Sequence, residues 1–151
     1  MVARYDTEGN LDQSFGANGT VSLHEASVSQ GLEAVALQPD GKIVAAGYFG
    51  WHSGTRPPEP GKREQIAVVR LDTNGALDKS FASNGLLLMS SPRYLWSGHG
   101  IAIQPDGKLL IVGDVQEEAD DRPLPPYAIV LVRLNPDGTP DADFGSGIDT
   151  P

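Results

Sequence analysis

Apolar residues in this chain come in short runs, and their spacing never settles into the 3.6-residue period of an amphipathic helix. Residues 33–37, 43–46, 66–71, 86–89, 101–103, 109–112 and 129–134 are rich in Val, Ile and Leu, and each run is bounded by Gly, Pro, Asp or Asn. A shorter run at 2–5 opens the chain. The pattern predicts strands joined by tight turns, with no helix.

The runs also recur at a fixed interval. Gln38-Pro39-Asp40-Gly41-Lys42 returns unchanged as Gln104-Pro105-Asp106-Gly107-Lys108, a shift of 66 residues. A longer block at 4–15 returns at 70–81, again shifted by 66, and more loosely at 133–144, shifted by 63. Self-similarity at a set period marks a repeat architecture. The chain reads as a single repeat domain over 1–151, with a partial copy at 1–24 and copies over about 25–90 and 91–151.

The turns can be read residue by residue. Pro presets φ, Asp favours a type I turn and Gly supplies the left-handed position, which predicts a three-residue hairpin loop with a bulge at Gly41 and at Gly107. Thr7-Glu8-Gly9, Thr73-Asn74-Gly75 and Pro136-Asp137-Gly138 play the same part in the other block. That register sets Arg4 across from Asp12, Arg70 from Asp78 and Arg133 from Asp141, at a separation of eight in every copy. An opposite-charge pair kept at cross-strand spacing in three copies predicts a structural lock on register in preference to a catalytic pair.

The order of a strand, Gln-Pro-Asp-Gly-Lys, a second strand, a loop, and then the block at 68–81 resembles the delta-60 repeat of long bacterial arrays, over nearly the whole chain. The resemblance implies β-propeller blades similar in layout to the NHL type. The expected fold is therefore all-β, with blades of four antiparallel strands and about two to two and a half blades in a partial propeller. Two departures stand out: Ala82 occupies the place of Gly16 and Gly145, and Pro140 that of Leu11 and Leu77. Closed propellers need about four to eight blades, so this count leaves open faces, each on the order of 350 Å². Patches of that size mark interaction sites. The expected partners are further repeats of the same type, or self-association through the open faces, with protein or glycan as other candidates.

Charge narrows the function classes. A formal net charge of −9 on 151 residues, with pI near 4.6, argues against nucleic-acid binding. No apolar run approaches the length of a membrane span, and the N-terminus carries no signal-peptide pattern. With no cysteine there is neither a disulfide framework nor a thiolate metal site. Resemblance to the array family implies an extracellular or cell-surface location for a parent protein, its signal sequence lying outside this segment.

Candidate ligand-binding residues are few. Pro-rich, charged stretches at 49–65 and 115–127 fall at the same phase of the repeat and are expected on one rim. Tyr48 and Trp51 flank the first, and Tyr94 and Trp96 precede the second copy of the inner strand. Such aromatics beside polar loops can stack on sugars, or can plug the edge of a β array. His99 aligns with Glu33 of the other copy and is a further candidate for ligand contact. His24, His52 and His99 lack zinc-ligand spacing, and the cluster Asp137, Asp141 and Asp143 lacks the downstream Glu of an EF-hand loop. Ser14 and Ser80 recur at matching places and are expected to bond local backbone, not to act as nucleophiles. No cofactor or metal is expected. The reading is a non-catalytic structural or adhesive scaffold. The alternatives are a lectin-like glycan binder using the loop aromatics, and a fragment of a propeller hydrolase or lyase.

Overall fold

The structure is a computed structural model that describes residues 1–23, 29–50, 64–91, 94–117 and 127–145. Trp51, His24, His52 and most of the two Pro-rich stretches lie outside those residues, as does the side chain of Tyr94.

The described residues form nine strands and no helix, as the hydrophobic pattern predicts: β1 (Val2–Ala3), β2 (Thr20–Val21), β3 (Ser29–Leu37), β4 (Ile43–Gly50), β5 (Gln65–Leu71), β6 (Leu86–Met89), β7 (Tyr94–Ile103), β8 (Leu109–Glu117) and β9 (Tyr127–Leu134). Each pairs antiparallel with its sequence neighbour, in sheets β1-β2, β3-β4-β5-β6 and β7-β8-β9. The fold is an open, partial propeller: one four-stranded blade, one blade with three described strands, and a hairpin. That hairpin is the outer half of a further blade. Val2↔Val21 and Ala3↔Thr20 reproduce, 66 residues earlier, Val68↔Leu87 and Val69↔Leu86 in the four-stranded blade.

Five turns share one geometry. In each, the first residue bonds to the fifth and the glycine N–H bonds back to the first residue's carbonyl, as in Gln38 N–H to Lys42 O at 2.8 Å and Gly41 N–H to Gln38 O at 2.9 Å. The glycines have φ of +85 (Gly9), +83 (Gly41), +91 (Gly75), +82 (Gly107) and +88 (Gly138), the left-handed region that a side chain resists. Pro140 is no obstacle: Leu134↔Pro140 forms the same bridge as Tyr5↔Leu11 and Leu71↔Leu77.

The inner strands are longer than the apolar runs suggest. Pairing continues across bulges at Leu32/Ala34 and Gly98/Gly100 into stretches whose glycines read as breakers in sequence. Those glycines permit close backbone approach. A Cβ on Gly47 would lie 1.9 Å from Gly31 O, and one on Gly113, its equivalent, 2.0 Å from Ser97 O.

Burial explains the unbroken hydrophobicity of β4 and β5, because both faces of that blade are covered. Val44, Ala46, Ile66 and Val68 meet Trp96, Leu109, Ile111, Val130, Val132 and Leu134 of the second blade, with Phe81 in the same core. On the opposite face Ile43, Ala45, Val69 and Leu71 meet Phe15 and the hairpin residues Val2 and Val21. In the second blade the described residues cover one face, and its strands alternate: Val130, Val132 and Leu134 are buried, Ile129 and Leu131 exposed.

Candidate functional site

Each Arg expected across its hairpin from an Asp makes that pair. Arg4 Nε lies 2.8 Å from Asp12 Oδ2, Arg70 Nε 2.8 Å from Asp78 Oδ2, and Arg133 Nε 2.6 Å from Asp141 Oδ2. The other carboxylate oxygen orders the next turn: Ser14 N–H and Oγ–H both donate to Asp12 Oδ1, and Ser80 repeats this on Asp78. The guanidinium lies over the following Phe ring, 4.6 Å from the Phe15 centroid, 4.6 Å from Phe81 and 4.5 Å from Phe144.

Two features of this unit were not foreseen from the sequence. The Lys of Pro-Asp-Gly-Lys reaches the same Asp, with Lys42 Nζ 2.9 Å from Asp78 Oδ2 and Lys108 Nζ 2.8 Å from Asp141 Oδ2. The unit also bolts one blade to the next. Arg4 Nη1 donates to Thr73 O and Arg70 Nη1 to Pro136 O, both at 2.5 Å. Beside them Gly16 N–H donates to Asn74 O at 2.7 Å, and Ala82 N–H to Asp137 O at 2.8 Å. Ala82 makes this bond with φ +43, so the Gly-to-Ala departure keeps the backbone of Gly16. Phe15 then packs on Gly75 and Phe81 on Gly138, where a Cβ would come within 3.1 and 2.7 Å of the ring. The constant spacing of Arg, Ser-Phe and turn Gly was the available signal; the partner one blade away is invisible in a single copy.

Charges in this latch hold their carboxyls ionised. Hydrogen bonds from Ser80, then Lys42, keep Asp78 far below the ordinary carboxylate value, and those from Ser14 lower Asp12. Lys108, followed by Arg133, draws Asp141 down to about 2. Both oxygens of each of these carboxylates are occupied by bonds within the fold. Among the described residues no three His, Asp or Glu side chains are arranged to hold a metal.

One polar cluster breaks the repeat. Glu33 and His99 are equivalents at the two β-bulges, and His99 bridges them: Nδ1 is 2.5 Å from Glu33 Oε2 and Nε2 2.8 Å from Asp114 Oδ1. Flanked by two carboxylates, Glu33 chief among them, the imidazole is held above its ordinary value of 6.5 and carries charge more readily. The cluster is partly exposed and ties the first strand of one blade to the other blade. Nearby, Ser97 is hydrogen-bonded to the Glu64 carboxylate, and the Trp96 backbone N–H donates to the Glu64 backbone carbonyl at 3.2 Å.

Of the aromatic candidates, only the side chains of Trp96 and Tyr48 are among the described residues, and they occupy different places. Trp96, expected as a sugar-stacking face, is 1 % exposed in the core between the blades, and a ring buried on both sides stacks no ligand. The apolar surroundings of Leu109, Ile111 and Val115 explain its position. Tyr48 instead packs on Gly31 and lines an apolar cleft of about 240 Å³ with Leu23, Leu32, Phe49 and Val69. This cleft lies beside the N-terminal hairpin, which supplies only the outer two strands of a blade. Tyr94 pairs through its backbone with Glu117, and Trp51 is outside the described residues.

A family model described as a domain of unknown function (DUF5122), beta-propeller, matches residues 38–57, 61–81 and 104–144. No curated protein and no solved structure matches the chain.

Proposed function

Because the chain belongs to the DUF5122 β-propeller family, we propose that it acts as a non-catalytic interaction scaffold: a rigid run of blades, of the delta-60 type, that presents rim loops to partners. The observation that carries this reading is where the repeated polar chemistry goes. Each recurring Arg and Ser in the block, and the Asp across from that Arg, is spent on the latch, with both carboxylate oxygens engaged, while Asp6 and Asp72 accept the N–H groups of their own turns. Resemblance to bacterial arrays supports a parent protein that is secreted or held at the cell surface.

The Glu33–His99–Asp114 cluster is the feature that favours the hydrolase or lyase alternative, since it places a proton-carrying group between two carboxylates. A panel of chromogenic esters, phosphoesters and glycosides, with uronate polymers for lyase action, separates the readings. The scaffold gives no turnover above a heat-treated control. Turnover that His99→Gln removes would replace the scaffold with an enzyme, and glycan-array binding lost in Tyr48→Ala would replace it with a lectin.

A further inference from the structure

The chain carries one piece of its repeat at both ends. Residues 2–15 recur at 68–81 and again at 131–144, so β1 and the middle of β9 are the same strand of the unit. The first copy sits as a hairpin on the four-stranded blade, while the last is built into the three-stranded blade.

Equivalent residues meet different fates in these copies. Ala46, Ile66 and Val68 are 0 % exposed because the second blade covers them, whereas their equivalents Val112, Ile129 and Leu131 are 41, 83 and 51 % exposed. At the opposite end Val35 and Leu37 are 65 and 70 % exposed, although Ile101 and Ile103, which match them, pack against the central core. Among the described residues, both halves of an interface that the fold already contains once are therefore exposed. One half is at each end.

We infer that a second copy of this chain docks the Ile129–Leu131 face of its three-stranded blade onto the Val35–Leu37 face of the four-stranded blade, displacing the resident hairpin 1–23. The inference rests on the scaffold reading above and names one partner for it. Displacement is required because the incoming 131–145 and the resident 2–16 claim the same position. The incoming Arg133, Phe144 and Gly145 take the places that Arg4, Phe15 and Gly16 hold against Thr73, Gly75 and Asn74. These groups are ready for that role: Phe144 is half-buried where Phe15 and Phe81 are fully buried, and a Cβ on Gly145 would meet nothing within 4 Å among the described residues.

The exchange swaps one set of latch bonds for the same set, so its balance is decided by the apolar faces. The hairpin brings only the outer half of a blade and leaves the Tyr48 cleft open. The incoming blade brings the inner strands as well, against the entropic cost of association. A contact between unlike faces is heterologous and leads to a ring or an open filament.

Sedimentation velocity on the full chain across a concentration series tests the exchange. Self-association is expected, and equivalent arginines should act in opposite directions. Arg4→Ala loosens the resident hairpin and should tighten association about tenfold, whereas Arg133→Ala removes an incoming bond and should weaken it about tenfold. Shifts in the same direction, or a chain that stays monomeric throughout, would overturn the proposal. Val35→Asp and Ile129→Asp provide a second measurement that does not depend on the latch. Each alone should be monomeric, and an equimolar mixture should form a one-to-one pair that grows no further. Homodimers of either variant, or a mixture that stays monomeric, would sink it. A failure here leaves the scaffold reading standing, since that reading is decided by the substrate and glycan panels.

Discussion

The latch between hairpin and four-stranded blade and the latch between the two large blades use the same residues, yet they close to different degrees. Arg70 and Asp78 have side chains 7 and 10 % exposed, while Arg4 and Asp12 stand at 29 and 29 %. The bonds scarcely differ in length. What differs is the lysine, since Lys42 reaches Asp78 and no lysine is bonded to Asp12 among the described residues, and the sheet behind them: a three-stranded blade seals one junction, and two short strands leave a cleft at the other. The polar latch thus fixes register and blade-to-blade geometry, and the apolar area behind it provides most of the stability.

The strongest way to break that comparison is through the phenylalanines. Phe81→Ala empties a site in the central core and should cost about 3–5 kcal/mol in urea denaturation, against less than about 1 kcal/mol for Phe144→Ala, a half-buried ring that packs on no such turn among the described residues. Equal losses would mean that the ring stabilises its own hairpin and not the junction. The turn glycines should rank next. Gly138→Ala meets both a left-handed φ and the Phe81 ring, for about 3–4 kcal/mol, while Gly9→Ala meets only the backbone penalty, about 1–2 kcal/mol, with nothing within 4 Å of its Cβ among the described residues. Thermal melts of the two variants check the order.

The smallest effect is expected from pH. His99 is raised above 6.5, so its two ion pairs contribute fully below that value and are lost as pH rises through the higher folded value. Melting temperature should drift down as pH rises above 6.5, and His99→Gln should flatten the drift. The acid side runs the other way: Asp141 contributes above 3.8, and its contribution disappears as pH falls toward about 2. A wild-type profile flat above 6.5 would show that the cluster does not couple the blades.

Much of this architecture was legible in the residues because it is local. A Pro-Asp-Gly turn is determined by the φ preferences of three neighbours, and the Arg-to-Asp spacing of eight follows from the turn that separates them. Strand content, hairpin register and the repeat period come from such short-range rules. They hold in every copy, and Ala82 and Pro140 do not disturb them.

Other features depend on what lies one blade away. Trp96 reads as a loop aromatic in sequence and is core in the fold, because burial depends on the neighbouring sheet. His99 looked solitary, yet Glu33 is brought to it from 66 residues away and Asp114 from 15. Ile66 and Ile129 are the same residue at the same phase of the repeat, one sealed and one bare. Sequence determined the strands, the turns and the latch, since backbone preference and hairpin register act over a few residues. Tertiary structure alone decided which copies of those elements are covered, since exclusion of water from an apolar face requires a second surface that the segment itself does not contain.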